Sequence, residues 1–341
     1  MEKHRIISRE AQSLWGKLAS DGSHYWLPLW LHLSDTGEIA KLLWDRWLPE
    51  HTKMDIAAGL GSDAGQSLDM RLDYARKIAA FMAAAHDIGK ASPVFVSKAA
   101  KVGFSDIVDE ITSKGLPVSA MNPVQARDFP HGLVGECILE RQGLDRSFAV
   151  IVGGHHGKPP DSAQAISHAE IFPSFTGIGA APWEEVWKEL LQLALDLSGL
   201  DRMPRGNISV PAQVLLSGFL IMADWLASGQ EYFPLLSRDY SCSVVPSAEE
   251  RAEAAWRNLH FPAGGDFADD CSWTELYSRR FQRTARPMQD DAVQVAVQAK
   301  DPGIFIIEAP MGEGKTEAAL AVAEVMARRY GLSGVYFALP T

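Results

Sequence analysis

His86 and Asp87 stand side by side at the end of an apolar run, Ala83-Ala84-Ala85, and Gly89 and Lys90 follow at once. An imidazole beside a carboxylate sets a borderline nitrogen ligand next to a hard oxygen ligand, a pairing suited to Mn, Fe, Co, Ni or Zn. One such dipeptide is weak evidence in a chain of 341 residues. Its weight depends on further ligands of the same character. Gly153-Gly154-His155-His156-Gly157 closes another apolar run and sets two histidines between glycines, whose backbone freedom lets both rings turn toward one point. His131, in Phe129-Pro130-His131-Gly132, sits at a helix start, which keeps its ring accessible. His32 lies among tryptophans and leucines, where a single histidine is more often a core residue than a ligand. Asp224 stands in the apolar run Met222-Ala223-Asp224-Trp225-Leu226 and needs a cation, a donor or a metal nearby. A salt bridge to an arginine and metal ligation both meet that need.

Together, His32, His86, Asp87, His131, His155, His156 and Asp224 are too many for one tetrahedral ion and suit two ions sharing a carboxylate. Two metals about 3.5–4 Å apart clamp the attacking and leaving oxygens of a phosphoryl displacement and bring the pKa of bound water toward neutrality. The reaction class is phosphoester hydrolysis. His4, His24, His51, His168 and His260 have no comparable setting.

Helices must carry most of these ligands. Residues 15–47 read as helical throughout, with Trp26, Leu27, Leu29, Trp30 and Leu33 clustered and Ile39, Leu42, Leu43 and Trp47 at helical spacing. Residues 50–67, punctuated by Gly59, Gly61 and Gly65, read as a loop. The helical pattern returns at Leu68 and runs into His86, and Gly89 and Pro93 mark its end. A short amphipathic piece is expected around 107–111, then a loose stretch to 127 that lies over the site, and a long surface loop over 158–182. Further helices are expected after His131 and over 183–197 and 211–229.

The length predicts two domains. With 47% hydrophobic and 22% charged residues, an ordinary globular core is available. The N-terminus lacks the apolar stretch of a secretory signal, and no apolar run is expected to approach a membrane span, so no membrane partner is expected. Three cysteines without ligand spacing read as reduced thiols of a cytoplasmic protein. A net charge of −11 argues against nucleic-acid binding by the whole surface, but leaves room for a local basic groove or a metal site. Composition shifts divide the chain into 1–245, a linker over 246–275, and 276–341.

The last part has a separate chemistry. An apolar strand over 303–307 leads into Glu308-Ala309-Pro310-Met311-Gly312-Glu313-Gly314-Lys315-Thr316, and a helix follows over 317–329. Strand, glycine loop, Lys-Thr and helix form the setting of a phosphate-binding loop, with Lys315 reaching the β and γ phosphates and Thr316 holding Mg²⁺. Ala309 stands where the general pattern has its first glycine. A second strand is expected over 335–339. Arg279, Arg280, Arg283 and Arg286 form a basic cluster that is either a solvated face or a phosphate contact.

The order His32, His86-Asp87-Ile88-Gly89-Lys90, Phe129-Pro130-His131-Gly132, Gly154-His155-His156-Gly157 and Ala223-Asp224-Trp225-Leu226-Ala227-Ser228 resembles the HD nuclease domain of the CRISPR-associated nuclease-helicases of type I systems. The glycine loop resembles motif I of the superfamily-2 helicase fused downstream in that family, and Trp26, Leu27, Leu29 and Trp30 resemble its type I-E branch. The resemblance implies a mainly α fold: a helical HD domain followed by the beginning of a RecA-like α/β helicase lobe. It implies a metal-dependent nuclease of antiviral defence that cuts single-stranded DNA, endonucleolytically and 3′ to 5′. Two divalent transition-metal ions (Fe²⁺, Ni²⁺, Mn²⁺ or Co²⁺) are implied, one on His32, His86, Asp87 and Asp224. The other takes His131, His155 and His156, with Asp87 bridging. Lys90 is implied as a catalytic contact to the scissile phosphate. Gln289 is implied as an adenine-reading residue, and Gly312, Gly314, Lys315 and Thr316 as the ATP and Mg²⁺ site of the full-length helicase. The crRNA-guided complex Cascade is implied as the partner that recruits the enzyme to the displaced strand of an R-loop, which is then unwound 3′ to 5′ by ATP hydrolysis.

The chain departs from that pattern after Thr316, where no Asp-Glu motif and no second RecA-like lobe follow. This form is therefore expected neither to hydrolyse ATP nor to unwind DNA, and 304–341 to be poorly ordered or partner-stabilised. An HD phosphohydrolase acting on small nucleotides is the alternative, disfavoured by the helicase loop. A recruitment module that only docks on Cascade is disfavoured by the complete ligand set.

Overall fold

The structure, a computed structural model, describes residues 7–61, 66–118, 129–159, 173–239, 245–260, 272–301, 303–332 and 335–338. It divides into two compact units, 1–260 and 261–341. The loose stretch expected up to 127 and most of the loop over 158–182 lie outside the described residues, as do Cys242 and Cys271.

The first unit is mainly helical, with one small sheet. Strands β1 (Trp15–Leu18), β2 (Tyr25–Pro28) and β3 (Leu236–Ser237) pair antiparallel in the order β1-β2-β3. The expectation of helix throughout 15–47 is corrected here. The polar stretch 19–24 reverses the chain, so Trp15 and Trp26 enter the core from a hairpin, both 8% exposed. Helix α1 (Leu29–Arg46) begins directly after β2 and carries His32. Residues 50–59, expected as loop, form a helix, Glu50–Gly59. The glycines there mark its end and not its interior.

Helix α2 (Leu68–Ala85) starts at Ser67, whose hydroxyl accepts from the Met70 amide, and its last turns are alanines that pack closely against α1. A single 3₁₀ turn, Ile88–Lys90, follows the His86-Asp87 pair. Helices α3 (His131–Arg141) and α4 (Arg146–Gly153) bring in the remaining histidines. Helix α5 (Ala181–Ser198) buries Trp183 and Trp187 and packs on α1 and α2.

Helix α6 (Val210–Ser228) carries Asp224. By length and composition it passes the test for a membrane span, which corrects the expectation that no apolar run approaches that length. Ala212, Leu216, Phe219, Leu220, Ala223 and Asp224 are nevertheless buried, and α6 packs on α1, so it is built into the core.

Helix α7 (Ala248–Leu259) lies inside the expected linker but closes the first unit. Ser247 and Glu250 cap it reciprocally, and Arg251 reaches back to α1 to bind Asp35 through Nε and Nη2 at 2.9–3.1 Å. Both members of this pair are buried. Burial pushes the Asp35 carboxyl up to about 6, and the hydrogen bonds and charge of Arg251 pull against it.

The second unit contains the helices Trp273–Phe281, Pro287–Gln298 and α8 (Lys315–Tyr330). Among its described residues no strand forms, contrary to the expectation for 303–307 and 335–339. Ile304 and Ile306 are 94% and 89% exposed. A β-strand is stabilised by cross-strand partners, and none is paired with these residues.

Candidate metal centre

All seven expected ligands converge, from five places in the chain. His32 projects from the first turn of α1, His86 and Asp87 from the end of α2, His131 from the start of α3, His155 and His156 from the turn after α4, and Asp224 from the last turns of α6. The approach of α3 depends on Gly89. A Cβ there would sit 1.9 Å from the His131 carbonyl oxygen and 2.6 Å from the Gly135 amide, so only glycine lets the 3₁₀ turn lie against the helix backbone.

Asp87 lies at the middle, 2% exposed. Its Oδ2 is 3.1 Å from His32 Nε2 and 3.3 Å from His86 Nε2; its Oδ1 is 3.2 Å from His131 Nε2 and 3.5 Å from His155 Nε2. Asp224 Oδ1 completes the first side, 3.3 Å from His86 Nε2 and 3.8 Å from His32 Nε2. His156 completes the second, its Nε2 2.7 Å from that of His131. Ligand atoms of His32, His86, Asp87 and Asp224 lie within 4.8 Å of one another, and those of His131, His155 and His156 do likewise. The arginine salt bridge that could have satisfied Asp224 belongs instead to Asp35; Asp224 accepts from Ser228 at 2.9 Å.

The donor set fits divalent metal. His86 and His155 donate Nδ1–H to the carbonyls of Ala83 and Val152 at 2.8 and 2.6 Å, which fixes the tautomer that leaves Nε2 free to ligate. His86 Nε2, His155 Nε2 and Asp87 Oδ1 are buried and make no hydrogen bond, a costly state unless a cation meets them. Burial drives His32 down to about 3 and also lowers His131. Burial and the neighbouring histidines bring His156 to about 4. These rings are therefore neutral, as ligation requires. His86 goes the other way: burial opposes its charge, but the Asp87 charge and the Asp224 contact raise it to about 10. Positive charge is thus favoured between the two carboxylates. Burial opposes ionisation of Asp87 as well, yet Lys90, His86, His131 and His155 hold its carboxyl well below the usual range.

Lys90 also lies against the centre. Its Nζ lies 2.6 Å from Asp87 Oδ2 and donates to the Gly16 carbonyl at 3.0 Å, and the residue is 8% exposed. As found, it orients the central carboxylate and is not turned toward solvent. The Gly16 and Ser228 contacts were not legible in the sequence, which marks neither a carbonyl acceptor nor a serine one turn past an acid. Trp225, beside Asp224, is 73% exposed on the outer face of α6.

In the second unit the phosphate-loop residues also gather. Gln289 is 2% exposed; its Nε2 donates to the Gly314 carbonyl at 3.0 Å, and its Oε1 accepts from Tyr277 and the Arg286 amide at 2.6 and 2.9 Å. Gly312 and Gly314 take positive φ, 84° and 80°. Lys315 folds back over its own loop, donating to the Ala309 and Pro310 carbonyls at 2.6 and 2.9 Å, and Thr316 follows in the first turn of α8.

The model of the family "Cas3, HD domain" matches residues 15–233, the segment that supplies all seven ligands. The chain belongs to this Cas3 HD-domain family. Among curated Cas3 proteins, a CRISPR-associated nuclease/helicase of Streptococcus thermophilus is 34% identical over 96% of this chain and 36% of its own length. An endonuclease/helicase of Thermus thermophilus is 27% identical over 98% of the chain and 34% of its length. A crystal structure of a CRISPR-associated protein superposes with a TM-score of 0.70 at 31% identity, covering 98% of this chain and 37% of that one. The chain spans about a third of the length of the curated Cas3 relatives it matches.

Proposed function

We propose that this Cas3 HD-family chain is a metal-dependent nuclease that hydrolyses phosphodiester bonds of single-stranded DNA, endonucleolytically and 3′ to 5′, using two divalent ions. The observation that carries the reading is the division of Asp87: one oxygen faces His32 and His86, the other His131 and His155. A carboxylate placed between two ligand sets is what two ions sharing a ligand require. His32, His86, Asp87 and Asp224 would hold one ion, and His131, His155 and His156 the other. Such ions supply Lewis acidity toward the phosphate and lower the pKa of water.

The chain's own residues do the rest. Backbone carbonyls of Ala83 and Val152 fix two imidazoles in their ligating tautomer. Lys90 keeps Asp87 ionised and aimed. His156 is an exposed residue of the centre, while His32 and His86 have no exposed surface. The ion identity is carried as Fe²⁺, Ni²⁺, Mn²⁺ or Co²⁺, since this mixed nitrogen and oxygen set suits all four.

The wider setting is part of the same proposal: CRISPR interference, a displaced R-loop strand as substrate, the crRNA-guided Cascade complex as recruiting partner and, in the full-length family, coupling to ATP-driven unwinding. The gathering of Gln289, Gly312, Gly314, Lys315 and Thr316 supports reading them as part of the ATP and Mg²⁺ site of the full-length helicase. The discriminating experiment incubates the chain with Mn²⁺ or Ni²⁺ and either circular single-stranded DNA or nucleoside triphosphates. Nicking and degradation of the circle are expected. Consumption of triphosphates with intact DNA would make the chain a small-nucleotide phosphohydrolase instead.

A further inference from the structure

The nuclease reading needs a cation that can meet the DNA phosphate, and Lys90 is committed to Asp87 and the Gly16 carbonyl. The next residue along β1 is Lys17. Strand pairing places Trp15 opposite Pro28 and Lys17 opposite Leu27, so Gly16 is the extra residue of a β-bulge. Bulges re-aim the side chain beside them. Gly16 is held tightly: a Cβ there would lie 3.2 Å from His32 Cβ and 3.3 Å from Leu29 Cα, so β1 rides directly on the turn of α1 that presents His32. Lys17 thus leaves the sheet one bond from the carbonyl that Lys90 grips.

Its surroundings set it apart from the other cations near the centre. The Lys17 ammonium lies within electrostatic reach of Asp224, Asp87 and Asp35 as well as Lys90. It is half-buried, yet among the described residues it makes no hydrogen bond or ion pair. A lysine serving only to neutralise the acids would be paired with one of them, as Lys90 is with Asp87 and Arg251 with Asp35. Burial, then the Lys90 charge, lower Lys17 to about 8, so it remains mostly protonated at pH 7. A desolvated cation without a partner is a poor structural device and a ready receptor for an incoming anion.

Resting on the nuclease reading, we propose that Lys17 is the substrate-phosphate contact of this centre, and that Lys90 is a positioning residue for Asp87. The test compares the 341-residue chain with Lys17→Ala, Lys17→Gln and Lys17→Arg. Loaded with Mn²⁺, Lys17→Ala and Lys17→Gln are expected to lose about 10- to 100-fold in kcat/KM on a labelled single-stranded oligonucleotide, the range of one charge-assisted hydrogen bond. Lys17→Arg is expected to recover most of that loss. Metal content by elemental analysis should be unchanged in all three. In EDTA, the salt dependence of oligonucleotide affinity for Lys17→Ala should be shallower by about 0.7 in log–log slope, the signature of one lost single-strand phosphate contact. Unchanged kcat/KM and slope would overturn the assignment, as would a loss of activity that follows loss of metal. A parent chain that neither binds nor cuts single-stranded DNA sinks the nuclease reading, whereas a fully active Lys17→Ala sinks only the role of Lys17.

Discussion

The two chemistries of this chain are built to different degrees of completeness. In the first unit, His32, His86, Asp87 and His155 are at most 2% exposed, and each has its orientation fixed by backbone or side-chain partners. In the second, Lys315 is turned onto the carbonyls of its own loop, and the apolar residues ahead of that loop, Ile304 and Ile306, face solvent. The contrast follows from what each site is made of. Metal ligands on a helical core are positioned by the packing of the helices within the first unit. A phosphate loop is positioned by the strand before it, and a strand is only as fixed as its sheet neighbours.

The widest way to break this comparison is to remove what the first site is built around. Asp87→Asn keeps the shape and removes the charge that faces both ligand sets. Cleavage of single-stranded DNA should fall to the level seen in EDTA, with bound metal lost in elemental analysis. Full activity in Asp87→Asn would end the shared-carboxylate assignment. Metal added to the parent chain should stabilise the first unit by about 2.7 kcal/mol at a hundredfold excess over Kd. Hydrogen exchange should then slow around 86–90, 131 and 155–156 and stay unchanged at 308–316. Equal slowing at both places would erase the distinction drawn between them.

The pre-built character of the first unit also rests on Asp35 and Arg251, which tie α1, the helix of His32, to α7. Arg251→Ala leaves a buried carboxylate without its partner and should cost about 3–5 kcal/mol in urea unfolding. Asp35→Leu combined with Arg251→Met should recover most of it, since apolar replacement of both charges removes the desolvation penalty together with the pair. A single substitution costing less than about 1 kcal/mol, the range of surface ion pairs, would show that α7 is a loose attachment.

Much of the first site was legible because its ligands are residue types that packing alone explains badly: His155 and His156 between glycines, His131 at a helix start, Asp224 in an apolar run. Less legible were features fixed by distant partners. Asp35 and Arg251 are 216 positions apart, and nothing local distinguishes Asp35 from Asp224, although one takes an arginine and the other faces histidines. The hairpin of β1 and β2 was hidden because Trp26, Leu27, Leu29 and Trp30 satisfy helical spacing as well as a strand running into a helix. Glu50–Gly59 was hidden by glycines that sit at its end. The apolar residues of 303–307 and 335–338 look like strands in sequence, and the pairing that would make them so is not found among the described residues.

Glu136 on α3 sharpens the comparison from the side of stability. It is fully buried, both its carboxylate oxygens lack hydrogen bonds, and Arg146 approaches only to 3.7 Å. Burial, reinforced by Glu140, raises it from 4.5 to about 7. Between those values the folded chain holds a proton that the unfolded chain has released. This contribution to stability is therefore greatest at low pH and is lost as pH rises through about 7. Glu136→Gln should stabilise the first unit by on the order of 3 kcal/mol at pH 8 and by little at pH 4.5, read by thermal or urea melts. A wild-type profile that rises from pH 5 to 7 by the same amount in both proteins would contradict it.

The smallest effect expected concerns exposed aromatics, where the two units again differ. Trp225, on the helix that carries Asp224, is 73% exposed; Tyr336 in the second unit is 92% exposed on a segment that carries no metal-centre residue. A base stacked on an indole is worth about 1–3 kcal/mol, whatever the base. Trp225→Ala should weaken oligonucleotide binding in EDTA by that amount with no change in melting temperature, because an exposed side chain contributes little packing. Tyr336→Ala should leave binding unchanged. Equal losses in the two variants would mean that DNA reads exposed aromatic surface in general and not the exposed face of α6. Equal affinities for A-, C- and T-rich oligonucleotides should accompany the Trp225 effect, since stacking carries no hydrogen-bond readout.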